Sequence, residues 1–279
     1  MENSNNIEQR INDRLQSDVS FNFDKFFADA WSIFKKVTFL VAGSIFVLAV
    51  PVLIVYSITL PFMLGIQSFT QYFSIIQEDP YYFQEIQQSP IYLLKQMLVN
   101  VIIALLFAPI NAGLIKLCRD ADKTGEVNFG TIFKYYKGEY FGRLILAVLI
   151  TAMVSGFLNI AFSFIPFVGG VIYMVVVLVF AILISFVQPL IIFGNLDLGK
   201  AFSLSFKIAG KFFWPVLGYS LLFGLLTGLG LIACCIGIFF TAAFIPVCNY
   251  LLYKYAVGFP EDEETEEVQT HWQEQPPVA

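Results

Sequence analysis

The chain has 279 residues, of which 58% are hydrophobic and 13% charged, with a net charge of −5 and a mean hydropathy of +0.74. Soluble domains carry about 25% charged residues, so this composition excludes a water-facing surface over most of the chain. No Asp, Glu, Lys, Arg or His lies between Lys36 and Glu78, between Lys95 and Lys116, between Arg143 and Asp197, or between Lys211 and Lys254.

A membrane-crossing helix needs about 20 predominantly apolar residues. In chain order, the first charge-free stretch supplies one span near 37–60, because beyond Pro61 it turns polar and aromatic through Gln67, Ser68, Thr70, Gln71 and Tyr72. The second stretch supplies one span. The third is interrupted by Ile165-Pro166-Phe167-Val168-Gly169-Gly170 and the fourth by Cys234-Cys235-Ile236-Gly237, both tight-turn sequences, so each supplies two. The expected fold is all-α, a polytopic membrane protein with six transmembrane helices. Every Lys and Arg except Lys95 falls before span one, between spans two and three, between spans four and five, or after span six. Basic loops stay cytoplasmic, which predicts both termini in the cytoplasm. Residues 1–20 are polar, without the apolar core of a cleavable signal peptide.

A short signature occurs three times, as Asn22-Phe23-Asp24, Asn128-Phe129-Gly130 and Asp197-Leu198-Gly199, followed by Phe27, Phe133 and Phe202. In the first unit Phe23, Phe26, Phe27, Ala30, Trp31 and Phe34 recur at helical spacing and make one apolar stripe, opposite Asp24, Lys25, Asp29, Ser32, Lys35 and Lys36. Such a helix lies in the membrane surface or packs as a soluble helix on the bundle; the interfacial version is preferred. Phe129, Ile132, Phe133, Tyr136 and Tyr140 repeat the stripe. Leu198, Ala201, Phe202, Ser205 and Ala209 make a smaller one, better suited to burial. Asn22, Asn128 and Asp197 are the expected helix caps, because their side chains can accept hydrogen bonds from first-turn amides. The chain thus divides into a polar segment 1–21, a membrane domain 22–258 and an acidic tail 259–279. The membrane domain has repeat units 22–118, 128–195 and 197–256, each an amphipathic helix followed by a hairpin of spans, in a pseudo-threefold repeat. The tail holds the acidic run from Glu261 to Glu267. It reads as a solvating disordered segment rather than a site for a basic partner.

Each returning span carries a late proline, Pro109, Pro189 or Pro246, at a similar distance from the next charged residue (Lys116, Asp197, Lys254). Proline bends a helix and frees the carbonyl four residues earlier. Asn111, Gln188 and Asn249 lie beside these bends and complete a candidate polar cluster. The three bent helices either enclose a central axis or simply let the hairpins pack, and packing requires less. Asn100, Asn111, Asn159, Gln188, Tyr219, Thr227 and Asn249 are read as bridging helices. Gly224 and Gly228 predict a close helix contact.

Catalytic chemistry has little to work with. The charge-free stretches lack the ionisable residues that mark ion pathways. His271 is the sole histidine, so neither a histidine base nor a histidine metal cluster can be built from one chain. No Walker-type phosphate loop or HExxH motif occurs, and the basic clusters coincide with membrane boundaries. No enzyme activity, cofactor, metal or nucleic-acid partner is therefore expected. Cys118, Cys234, Cys235 and Cys248 read as small packing residues. Residues 61–95, with Tyr72, Phe73, Tyr81, Tyr82, Phe83 and Tyr92, read as an interfacial cover over the bundle, with a ligand surface as the alternative.

The segment Lys200 to Ala256 contains Phe206-Lys207, the glycine-rich turn from Gly230 to Gly237, Thr241, Pro246 and Tyr255-Ala256. It resembles bacterial membrane proteins that share the membrane domain found on some glycerophosphoryl diester phosphodiesterases. The resemblance implies six spans with preceding surface helices in a bacterial cytoplasmic (inner) membrane, and no catalytic residues. The hydrolytic domain of the fused relatives has no counterpart in this chain. The expected role is a non-enzymatic membrane protein that organises lipid or partner proteins, with a transporter or channel for a small or lipid-like solute as the alternative. Its expected partners are the lipid bilayer and a membrane protein or second copy.

Overall fold

The computed structural model describes residues 4–17, 21–64, 69–78, 81, 85–86, 89–165, 168–232 and 237–260. Among these, all regular structure is helical. The acidic tail, Pro166, Phe167, the two adjacent cysteines and most of the 65–88 segment lie outside the described residues or their described side chains. In chain order the helices are α1 (Ser4–Gln16), α2 (Phe23–Leu64), α3 (Phe69–Glu78), α4 (Pro90–Lys123), α5 (Phe129–Ile132), α6 (Tyr140–Ser163), α7 (Gly169–Ile184), α8 (Val187–Gly194), α9 (Leu198–Lys211), α10 (Phe213–Ile232), α11 (Gly237–Thr241) and α12 (Phe244–Ala256). Six helical segments are long and apolar enough to cross a membrane: Phe23–Thr59, Pro90–Lys123, Tyr140–Ser163, Gly169–Gly194, Phe213–Leu231 and Gly237–Ala256.

The first unit differs from its sequence reading. The amphipathic stretch and span one form a single helix, α2, with no break between Phe23 and Leu64. Nothing between Lys36 and Leu40 stops a helix, since the segment holds neither Gly nor Pro. The expected stripe also divides: Phe26 and Ala30 continue into Ile33, Val37 and Val41 as a buried row, while Phe23, Phe27 and Trp31 remain exposed. The second unit keeps only the single turn of α5 and a 3-10 turn at Lys134–Tyr136. Gly138, at φ 99°, then redirects the chain into α6. In the third unit α9 is a separate helix with Ala201, Leu204, Ser205, Ile208 and Ala209 buried.

The prolines act differently in the three returning spans. Pro109 lies inside the continuous helix α4. Before Pro189 the helix stops at Ile184 and resumes at Val187, and before Pro246 it stops at Thr241 and resumes at Phe244. A proline lacks the amide proton that the carbonyl four residues earlier would accept, and the breaks fall at those positions, Ser185 and Ala242. At the second break the Ala242 carbonyl, which Pro246 deprives of its usual donor, accepts from Ile245 N at 3.2 Å.

Helix α4 is the centre of the packing and contacts α2, α5, α6, α8 and α12. The core gathers at the end of the bundle near the basic loops, through Val37, Ile115, Leu144, Leu190, Val216 and Leu251. Toward the opposite end large apolar side chains are exposed on every long span, as with Leu53, Leu98, Phe157, Met174 and Leu225. Helix α1 adds to the core from its polar segment: Ile7 and Ile11 are buried, and the Arg10 guanidinium donates to Gly258 O at 3.3 Å.

Candidate functional site

Two of the three caps form. Asn22 Oδ1 accepts from Lys25 N at 3.1 Å, and Asn128 Oδ1 accepts from Gly130 N at 2.7 Å. Asp197 takes the cap position with extended backbone, but its side chain makes no capping bond. The expected side-chain cap is absent there; Ala201 N donates to the Asp197 carbonyl at 2.9 Å, the ordinary first bond of α9.

The polar cluster beside the bends comes together. Asn111 Nδ2, on α4, donates to Gln188 Oε1, on α8, at 2.7 Å. Asn249, on α12, lines the same cavity of about 160 Å³, with Thr151 of α6 and Ser185 at the α7–α8 break. Pro189 removes the amide proton that the Ser185 carbonyl would meet in a regular helix, so the break adds an acceptor to this wall. Pro109, Pro189 and Pro246 are all buried. Beside Pro109, Tyr136 Oη donates to the Leu106 carbonyl at 2.6 Å, one residue past the carbonyl that the proline frees. Among the described residues Asn249 bonds to neither amide, although it shares their cavity.

A second polar region lies further along the same helices, toward the end away from the core. Two adjoining cavities of about 350 and 240 Å³ open between α4, α6 and α7 and share Leu93, Gln96, Asn159 and Tyr173. Tyr92, Gln96 and Asn100 repeat at four-residue intervals on α4, as Thr151, Ser155, Asn159 and Ser163 do on α6. That interval keeps side chains on one helix face. Thr151, Ser155 and Ser163 give their hydroxyl protons to their own helix, at Val148 O, Thr151 O and Ile160 O. Their oxygens keep acceptor capacity. Among the described residues the side chains of Gln96, Asn100, Asn159 and Tyr173 make no hydrogen bond, so Asn100 and Asn159 do not bridge helices as expected from the sequence. Gly156 lets α6 approach α4, since an added Cβ would lie 2.7 Å from Met97 Cγ.

Of the expected bridges, Asn111 and Gln188 bond to each other across helices, and Thr227 is joined to Thr241. Thr241 Oγ1 donates to Thr227 O at 2.9 Å, tying α11 to α10, while the nearer acceptor of Thr227 Oγ1 is Phe223 O of its own helix at 2.8 Å. The close glycine contact is beside this pair, at Gly230, where a Cβ would meet Thr241 Oγ1 at 2.1 Å. Gly224 and Gly228 face open space, correcting the expected contact. At the basic end Asp122 Oδ2 accepts from Tyr250 Oη at 2.7 Å and pairs with Lys254 Nζ at 2.6 Å, joining α4 to α12. Tyr255 Oη donates to Asp29 Oδ2 at 2.9 Å, joining α12 to α2. Cys118 and Cys248 are buried free thiols. Burial raises the Tyr135 phenol above its ordinary range, so it stays neutral beneath the basic loop.

Comparison with protein-family models, curated proteins and solved structures finds no match to this chain.

Proposed function

We propose that the chain is a non-enzymatic integral membrane protein of the bacterial cytoplasmic membrane that organises lipid, retaining lipid molecules between α4, α6 and α7. The observation that carries this reading is the set of uncharged polar side chains, Gln96, Asn100, Asn159 and Tyr173, without hydrogen bonds among the described residues, in a cleft whose flanking helices expose Leu98, Phe157 and Met174. An unpaired amide in hydrocarbon costs several kcal/mol by transfer scales, roughly 4–8 for water to cyclohexane. A lipid entering sideways from the bilayer supplies partners for these groups and acyl chains for the apolar flanks.

In this reading the spans form three hairpins in a pseudo-threefold repeat, each introduced by an amphipathic segment. Both termini face the cytoplasm, which puts the packed core in the cytoplasmic leaflet and the cleft in the other. A reporter fused after Ala279 that works only outside the cytoplasm is expected to stay silent. The partners are the bilayer and a membrane protein or second copy, and no nucleic acid is involved.

A transporter for a small or lipid-like solute is the second reading. It is favoured by one observation, that Asn111, Gln188 and Asn249 line a cavity formed partly by the same two helices, α4 and α6, that border the cleft. Native mass spectrometry of protein extracted in mild detergent tests the first reading. Retained lipid at defined stoichiometry supports it, and protein stripped bare under conditions that preserve the fold counts against it. Flux of a lipid analogue across proteoliposomes, abolished by Asn111→Leu, would shift the assignment to transport.

A further inference from the structure

The polar lining of the cleft selects a kind of lipid. From Tyr92 to Asn100 on α4, and from Ser155 to Ser163 on α6, the polar positions extend over eight residues, or about 12 Å at helical rise. The headgroup layer of one leaflet is only about 5–8 Å deep. The lining therefore continues below it, to a depth where an ionised headgroup would need a buried counter-charge. Among the described residues none is on the cleft wall: those that line the two cavities are uncharged. Lys95, the nearest basic residue in sequence, is turned to α2, where its ammonium donates to Phe62 O at 2.9 Å and sits 4.6 Å from the Phe62 ring centroid.

The hydrogen-bonding character is also specific. Ser155 and Ser163 have donated their protons to the helix and offer acceptor oxygens. The amides of Gln96, Asn100 and Asn159 offer both donors and acceptors. A hydroxyl group matches this mixed wall because it donates and accepts at once, whereas a phosphate only accepts and carries charge. On the basis of the lipid-retaining role proposed above, we infer that the cleft is a binding site for a neutral glycerolipid with a free hydroxyl, of the diacylglycerol class. Its hydroxyl and ester groups sit between Asn100, Asn159 and Tyr173, and its acyl chains leave along the apolar flanks of α4 and α6.

The test uses full-length protein in nanodiscs of phosphatidylcholine containing a trace of diacylglycerol with a photoactivatable acyl chain. Labelling is expected on α4 and α6, with unlabelled diacylglycerol protecting the site and phosphatidylglycerol at the same mole fraction failing to protect it. Asn100→Leu and Asn159→Leu should each lower labelling by about fivefold, the effect of losing one hydrogen bond. Leu225→Ala, exposed on α10 and away from the helices that border the cleft, should leave it unchanged. Asn100 is exposed, so its substitution disturbs no packing and decides the matter even where the Asn159 variant fails to fold. Equal protection by phosphatidylglycerol would overturn the inference while leaving the lipid-retaining role standing. Absence of saturable labelling by the diacylglycerol probe would overturn the inference, while the native mass spectrometry decides the lipid-retaining role separately. Labelling indifferent to Asn100→Leu would place the lipid elsewhere.

Discussion

At the basic end of the bundle each helix meets another helix, while at the far end the same helices face outward. Val37, Ile115 and Leu251 are buried at the basic end, whereas Leu53, Leu98 and Phe157 toward the far end are exposed. At the basic end polar groups are paired across helices, as Asp122 is with Tyr250 and Lys254, while Gln96, Asn100, Asn159 and Tyr173 of the cleft make no side-chain hydrogen bond among the described residues. The difference separates two uses of polarity in a membrane. Paired polar groups hold helices in register, and unpaired ones require something from outside the chain.

Substitutions sharpen this contrast, beginning with the largest expected effect. Asp122→Ala leaves Lys254 and Tyr250 without their shared acceptor, and should cost about 2–3 kcal/mol in thermal unfolding of the detergent-solubilised protein. Gly113→Ala follows closely. Its Cβ would lie 2.1 Å from the Ile132 carbonyl oxygen, so α5 must move, at about 1–3 kcal/mol. The same change at Gly224, which faces open space, should stabilise by about 0.5–1 kcal/mol through helix propensity. Equal effects at Gly113 and Gly224 would break the comparison between the two ends.

A smaller effect is expected at α1. Lys211 Nζ donates to the last carbonyls of this helix, to Leu15 O and to Ser17 O at 2.8 Å. Lys211→Met should loosen α1 by about 0.3–1 kcal/mol, seen as faster hydrogen exchange in residues 4–17 with the melting temperature nearly unchanged. The smallest effect is electrostatic. Donation to Glu8 raises the exposed Lys200 ammonium above the ordinary lysine value of 10.5. This contact therefore stabilises fully below pH 10.5 and is lost as pH rises through the raised value. The anisotropy of a dye at residue 6 should fall only in that alkaline range, and a fall near neutral pH would contradict the assignment.

The six apolar helices were legible because charge is absent over lengths that only spans require. The convergence of Asn111, Gln188 and Asn249 was legible for a related reason: prolines at matched distances from the basic loops put their neighbours at one depth. Other features depend on partners that a linear reading cannot place. Gly113 and Gly230 are tight only because Ile132 and Thr241 approach them, whereas the conspicuous Gly224–Gly228 spacing meets nothing. The continuity of α2 was hidden by the change from charged to apolar residues at Lys36, which marks a solvent boundary and leaves the backbone undisturbed. Ile7, Ile11 and Leu15 did carry a helical period within the polar N-terminal segment. So did Thr151, Ser155, Asn159 and Ser163 in the third span, a signal that hydropathy averaging removes.

The most direct test of the account is a cryo-electron microscopy map of the full-length protein in lipid nanodiscs, with an antibody fragment for alignment. The expected result is elongated density entering between α4 and α6, its polar end within hydrogen-bonding distance of Asn100 and Asn159. Helices closed against one another, with those two amides bonded across the gap and lipid confined to the outer surface, would contradict it.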